Sequence, residues 1–317
     1  MNMHQADRPS SARAATGRSQ RADLLEPHEL VALGGLEFVA RHVVEGFIAG
    51  LHRSPHRGFS VEFAEHRMYQ PGDDLRYVDW RMYGRSDRYY IKQFEEETNL
   101  RGYLLLDVSA SMAWTSDEGV LPSKLWYAKQ LSASLALMLV RQGDAVGLLT
   151  FDDAIRSHIV PRGGRRHWHE LLRTLAPIEA SGRTDPGSAL RDLAGRLRRR
   201  GLVILISDLL VDPEATRLAL RYLRHRGHEV LVFHLMDPGE RELPGVGEVR
   251  FVDPETDEEL PVSAADVRRE YREAVAHALG EWRRELAPQG IEYVLVGTEE
   301  PMAHALRAYL HKRERLG

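Results

Sequence analysis

The sequence of 317 residues contains no cysteine. That absence removes disulfide frameworks, thiolate zinc centres, cysteine nucleophiles and thiol redox chemistry together, and it suits a reducing compartment. No apolar run approaches the roughly 18–20 residues of a membrane-spanning helix. An excess of one charge is missing too. With 43 basic and 47 acidic side chains the formal net charge is -4, so no global field draws the chain toward nucleic acid. The opening stretch MNMHQADRPSSARAATGRSQ has no apolar core and does not read as a secretory signal. A disordered basic tail over residues 1–22 and a cytoplasmic location are expected. There is no Gly-x-x-x-x-Gly-Lys-Ser/Thr loop, which excludes nucleotide binding of the P-loop kind.

What is present is ordinary globular material. Hydrophobic residues make up 43% of the chain, and its length allows a sizeable core without disulfides. From Leu24 to Leu51 the residues Leu30, Leu33, Phe38, Val43, Val44, Phe47 and Leu51 recur at helical spacing around Gly34-Gly35. They predict one or two helices lying across a larger body. From Gly58 to Asn99 the chain is rich in Tyr, Arg and Asp. Its Pro71-Gly72 turn and the alternation of Tyr89 to Phe94 predict short strands and ordered loops.

Beyond residue 99 the pattern becomes regular. Apolar runs at Tyr103–Leu106, Val146–Phe151, Leu202–Ile206, Val230–Leu235 and Tyr293–Val296 are short and bounded by Gly, Asp or Ser. Such runs suit strands buried on both faces of a mostly parallel sheet. Helices are predicted over Pro122–Arg141, Pro186–Arg200, Pro213–Arg226, Ser263–Leu286 and Pro301–Lys312. The first three are closed by Gly143, Gly201 and Gly227. In the fourth, Val267, Tyr271, Val275, Leu279, Trp282 and Leu286 form one stripe. The fold class expected is α/β, a doubly wound and mostly parallel sheet over residues 100–317. A helical and short-strand extension over residues 23–99 packs on it.

The first buried strand ends in Asp107-Val108-Ser109-Ala110-Ser111. Ligands of open α/β sheets bind beyond the carboxyl ends of strands. A carboxylate and two hydroxyls at alternate positions offer hard oxygen donors there, the kind that magnesium selects. The same residue types cap helices and form turns, so the triplet alone leaves both roles open. Thr184 follows in a loop before a predicted helix, and Asp208 ends a later buried strand aimed at the same crevice. The five together point to Mg2+ or Mn2+.

This Asp-x-Ser-x-Ser, Thr and Asp set resembles the metal-ion-dependent adhesion site of von Willebrand factor A-type domains. The resemblance implies Asp107, Ser109, Ser111, Thr184 and Asp208 as ligands, directly or through water. It also implies an acidic side chain of a partner completing the coordination, which is recognition and not bond-making. Arg67-Met68-Tyr69-Gln70-Pro71-Gly72-Asp73-Asp74-Leu75-Arg76-Tyr77-Val78-Asp79-Trp80-Arg81 resembles the signature of a prokaryotic family labelled domain of unknown function 58. The likeness continues through Gly84-Arg85, Lys92 to Asn99, Arg141 to Gly147 and Gly182-Arg183-Thr184. Membership implies work beside a MoxR-type AAA+ ATPase, in chaperone-like maturation of a client protein complex. Many relatives carry N-terminal membrane segments, and none is expected here.

Other readings compete. Asp73, Asp74, Asp79 and Asp87 alternate with Arg67, Arg76, Arg81 and Arg85, which suits Arg–carboxylate pairs that lock an irregular segment in place, a role favoured over a partner surface. His169-Glu170 begins a zinc-protease pattern, but position 173 is Arg173 where a second histidine is required. Arg191, Arg196, Arg198, Arg199 and Arg200 read as a solvated helix end that favours the C-terminal dipole. Glu95, Glu96 and Glu97 read as an exposed strand end or a partner contact. The alternative function is a Mg2+-dependent phosphohydrolase with Asp107 as nucleophile. Haloacid dehalogenase-type enzymes place a second Asp two residues on, where this chain has Ser109.

Overall fold

A computed structural model describes residues 35–53, 66–69, 83–84, 88–92, 100–182, 191–192, 195–197, 199–210, 212–243, 248–252 and 259–316. Ten strands and seven α-helices are defined among them. They run α1 (Leu36–Arg53), β1 (His66–Met68), β2 (Tyr90–Lys92), β3 (Arg101–Asp107), α2 (Lys124–Arg141), β4 (Ala145–Phe151), β5 (Ile155–Arg162) and α3 (Arg165–Leu175). Then follow β6 (Leu202–Ser207), α4 (Pro213–His225), β7 (Glu229–Met236), α5 (Pro238–Glu242), β8 (Glu248–Val252), β9 (Glu259–Ser263), α6 (Ala264–Leu286), β10 (Glu292–Gly297) and α7 (Ala303–Glu314).

Six strands form one sheet in the order β10-β7-β6-β3-β4-β5. All neighbours are parallel except β5, which runs antiparallel to β4. The chain starts at β3 in the middle, builds outward through β4 to β5, then crosses over to β6 and proceeds through β7 to β10. The order therefore reverses between β3 and β6. Alternate side chains of one strand face opposite layers. Leu104 and Leu106 join a core with α1, α2, α3 and α7, while Tyr103 and Leu105 join one with α4 and α6.

Local chemistry sets the boundaries. Ser123 caps α2, its side chain accepting from the Trp126 amide, and Gly143 at φ +80° reverses the chain beyond the other end. Pro122 thus precedes the cap and does not occupy the first turn. Asp212 caps α4, with Pro213 at its first position.

Several elements differ from the sequence expectation. Strand β5 escaped it because Arg156, His158 and Arg162 break the apolar run. They are the outward face of an edge strand whose alternate residues are half-buried. Helix α3 buries His167, Trp168, Leu171, Leu172 and Leu175, a core face that the failed zinc motif obscured. The hairpin β8–β9 was not foreseen. Phe38 is 55% exposed because the core face of α1 is Val39, Ala40, Val43, Val44 and Phe47. The helix expected at Pro186–Arg200 falls largely outside the described residues, as do residues 1–34, Glu95, Glu96, Glu97 and most of the Arg–Asp alternation.

Candidate metal centre

The reversal of strand order places a crevice between the carboxyl ends of β3 and β6, the position where doubly wound sheets bind ligands. Asp107 ends β3, Ser207 ends β6, and Asp208 follows it. Asp107 and Ser109 have no exposed surface, and Ser111 and Asp208 have almost none.

Asp107 is surrounded by neutral donors. Its Oδ1 accepts from the Ser109 amide at 3.0 Å and the Ser109 hydroxyl at 2.7 Å, and its Oδ2 accepts from the Ser207 hydroxyl at 2.6 Å. Ser109 Oγ lies 3.1 Å from Ser111 Oγ. Three of the five expected ligands are therefore linked in one chain through Ser109. Asp208 is also close, because its charge acts on Asp107. Burial pushes the Asp107 carboxyl up to about 7, the Asp208 charge adds to the rise, and the serine donors pull against it.

Ser207 was missed by the sequence reading. Its hydroxyl donates to Asp107 and accepts from the Leu209 amide at 3.0 Å. Leu209 holds φ +52°, a left-handed conformation costly for a branched side chain. That turn carries Asp208 into the crevice. Thr184 lies outside the described residues. The chain leading to it is nevertheless tied to the site, since Ala110 N donates to Gly182 O at 3.1 Å and Ser181 N to Val108 O at 2.9 Å.

The second missed residue is Lys124, the first residue of α2, with no exposed surface. Its ammonium donates to Asp208 Oδ2 at 2.7 Å and to Glu240 Oε1. Burial alone would lower its pKa, but Asp208 and Glu240 hold it above the ordinary lysine value. Glu240 is itself fixed, for its other oxygen accepts from the Asp237 amide at 2.9 Å in a capping box on α5. A sequence signal existed. Lys124 is in phase with Ala128, Leu131, Leu135 and Met138, the buried face of its helix.

The donor set fits a divalent cation. Among the described residues, Asp107, Asp208 and Glu240 against Lys124 leave two negative charges uncompensated once Asp107 is ionised. The clustered oxygens are the Asp107 carboxylate and the hydroxyls of Ser109, Ser111 and Ser207, hard donors of the kind that suits Mg2+ or Mn2+. No cluster of three or more His, Asp or Glu side chains of the kind that binds a metal alone occurs among the described residues. Any ion here rests on hydroxyls as much as on carboxylates.

Among the described residues no helix is long and apolar enough to cross a membrane. Residues 65–280 match the family described as "Protein of unknown function DUF58". Uncharacterized proteins of Mycobacterium bovis and Mycobacterium tuberculosis are each 33% identical over 239 residues, 74% of this chain and 74% of theirs. Among solved structures, BatB from Bacteroides thetaiotaomicron is similar at TM-score 0.45 and 18% identity, over 68% of this chain and 99% of that one. An aerotolerance-related membrane protein from Bacteroides fragilis is similar at TM-score 0.48 and 18% identity, with the same coverage.

Proposed function

The chain belongs to the DUF58 family, and from that premise we propose that it is a metal-dependent protein-interaction adaptor with a von Willebrand factor A-like domain. One observation carries this reading. Among the described residues, a buried carboxylate at the strand-order reversal meets only hydroxyls and an amide, with a second carboxylate beside it and negative charge in excess. Asp107, Ser109 and Ser111 would hold the ion, and the resemblance adds Thr184, which lies outside the described residues. A divalent ion supplies an electrophilic position that a partner's carboxylate can fill. The partners proposed are a MoxR-type AAA+ ATPase and a client that presents an acidic side chain, in the cytoplasm.

Binding is favoured over catalysis by the state of Asp107. Both its oxygens accept short hydrogen bonds, and position 109 carries a hydroxyl bonded back to it in place of an acid. That arrangement fixes the carboxylate and places no acid at position 109 for a leaving group. The test is capture of a MoxR-type ATPase or its client, with Mg2+ or with chelator. Capture should need the ion and be lost in Asp107→Ala with the fold retained. Capture indifferent to both would refute the adaptor reading, and Mg2+-dependent phosphoester turnover would replace it.

A further inference from the structure

The buried ammonium of Lys124 changes what Asp208 can do. Both oxygens of Asp208 are engaged, Oδ2 by Lys124 at 2.7 Å and Oδ1 by the Leu210 amide at 3.2 Å. The lysine and Asp208 side chains are 0% and 1% exposed, so water does not screen the pair. An isolated buried charge is costly, and each of these groups removes that cost for the other.

We propose that Lys124 is the resident cation of this centre: it withholds Asp208 from the divalent ion and sets the charge that the ion must match. This deepens the adaptor reading and rests on it. With Lys124 in place, direct ligation falls to Asp107, Ser109 and Ser111 among the described residues. Such an ion has one anionic ligand and stays strongly electrophilic toward a partner's carboxylate. Without the lysine, Asp208 is released and the centre carries one more negative charge. The ion then binds more tightly and attracts a carboxylate less. Lys124 is thus a positioning residue that exchanges affinity for the metal against affinity for the partner.

The experiment is titration of the full chain with Mn2+, following the signal of free Mn2+ by electron paramagnetic resonance. Lys124→Met should bind Mn2+ at least about tenfold more tightly than the unaltered chain. Asp208→Asn should cost the unaltered chain less than about fivefold yet abolish that gain when combined with Lys124→Met. Lys124→Met leaves two buried carboxylates without a cation, so it is paired with the charge-balanced Lys124→Met/Glu240→Gln, which should show a smaller gain, from the released Asp208 alone. Unchanged or weaker binding in both lysine variants would overturn the proposal while leaving the adaptor reading intact. Asp208→Asn as damaging as Asp107→Asn in the unaltered chain would overturn it too. Binding by the lysine variants alone would support Lys124 as the occupant of the site and count against the adaptor reading. No Mn2+ bound by any of them would sink both.

Discussion

The two ends of the central sheet both bury an aspartate, and they treat it differently. At the amino end Asp144, with its side chain 0% exposed, accepts from Arg313 at 2.8 Å and from the Leu100 amide at 3.2 Å. Burial pushes Asp144 up and the Arg313 guanidinium pulls it back. Nearby, Glu229 is held by Lys312 and Arg224. Charges at this end are matched. At the carboxyl end Asp107 has no cation in hydrogen-bonding reach among the described residues, and the one buried ammonium serves Asp208 and Glu240 instead. Burial alone therefore does not mark a functional aspartate. Asp107 differs from Asp144 in being buried among neutral donors, with negative charge left over among the described residues.

Breaking the carboxyl-end pair should have the largest effect on stability. In chelator, Lys124→Met is expected to cost about 3–5 kcal/mol, the penalty for stranding a buried charge. Denaturant unfolding measures it, and a cost below about 1 kcal/mol would mean that water reaches Asp208. At the amino end, Arg313→Ala should cost about 1–3 kcal/mol, since Asp144 keeps an amide donor. Its Mn2+ affinity should not change. Lys312→Met should cost no more than about 1 kcal/mol, because Glu229 is a third exposed and retains Arg224.

The smallest effect concerns acid. Although burial raises the Glu229 carboxyl, Arg224 and Lys312 lower it by more, so its folded pKa lies below the ordinary 4.5. Its stabilisation is full above that value and is lost as pH falls through the folded pKa. Melting temperature against pH should therefore show a shallower acid limb in Glu229→Gln than in the unaltered chain. Identical limbs would show that the amino-end pairs do not act in solution.

How much of this was legible in sequence depended on range. The buried strands were readable because a parallel strand covered on both faces is a continuous apolar run, as Leu202–Ile206 is. Asp107, Ser109 and Ser111 were readable because they follow one strand end. Strand β5 was not, since only alternate residues face the core and Arg156 and His158 look like loop. Lys124 was hidden for another reason. Helical phase puts it on the buried face, but its partners stand 84 and 116 positions away, so the sequence does not show what neutralises it there. Leu209 gave no signal at all, because nothing in a leucine announces a positive φ.

The central claim is that Asp107 serves a cation while Asp144 serves the fold. Mn2+ affinity of Asp107→Asn and Asp144→Asn, each checked as folded by circular dichroism, tests it most directly. The account predicts a loss of at least about 100-fold for Asp107→Asn and less than about twofold for Asp144→Asn. Equal losses, or Mn2+ binding that survives Asp107→Asn, would contradict it.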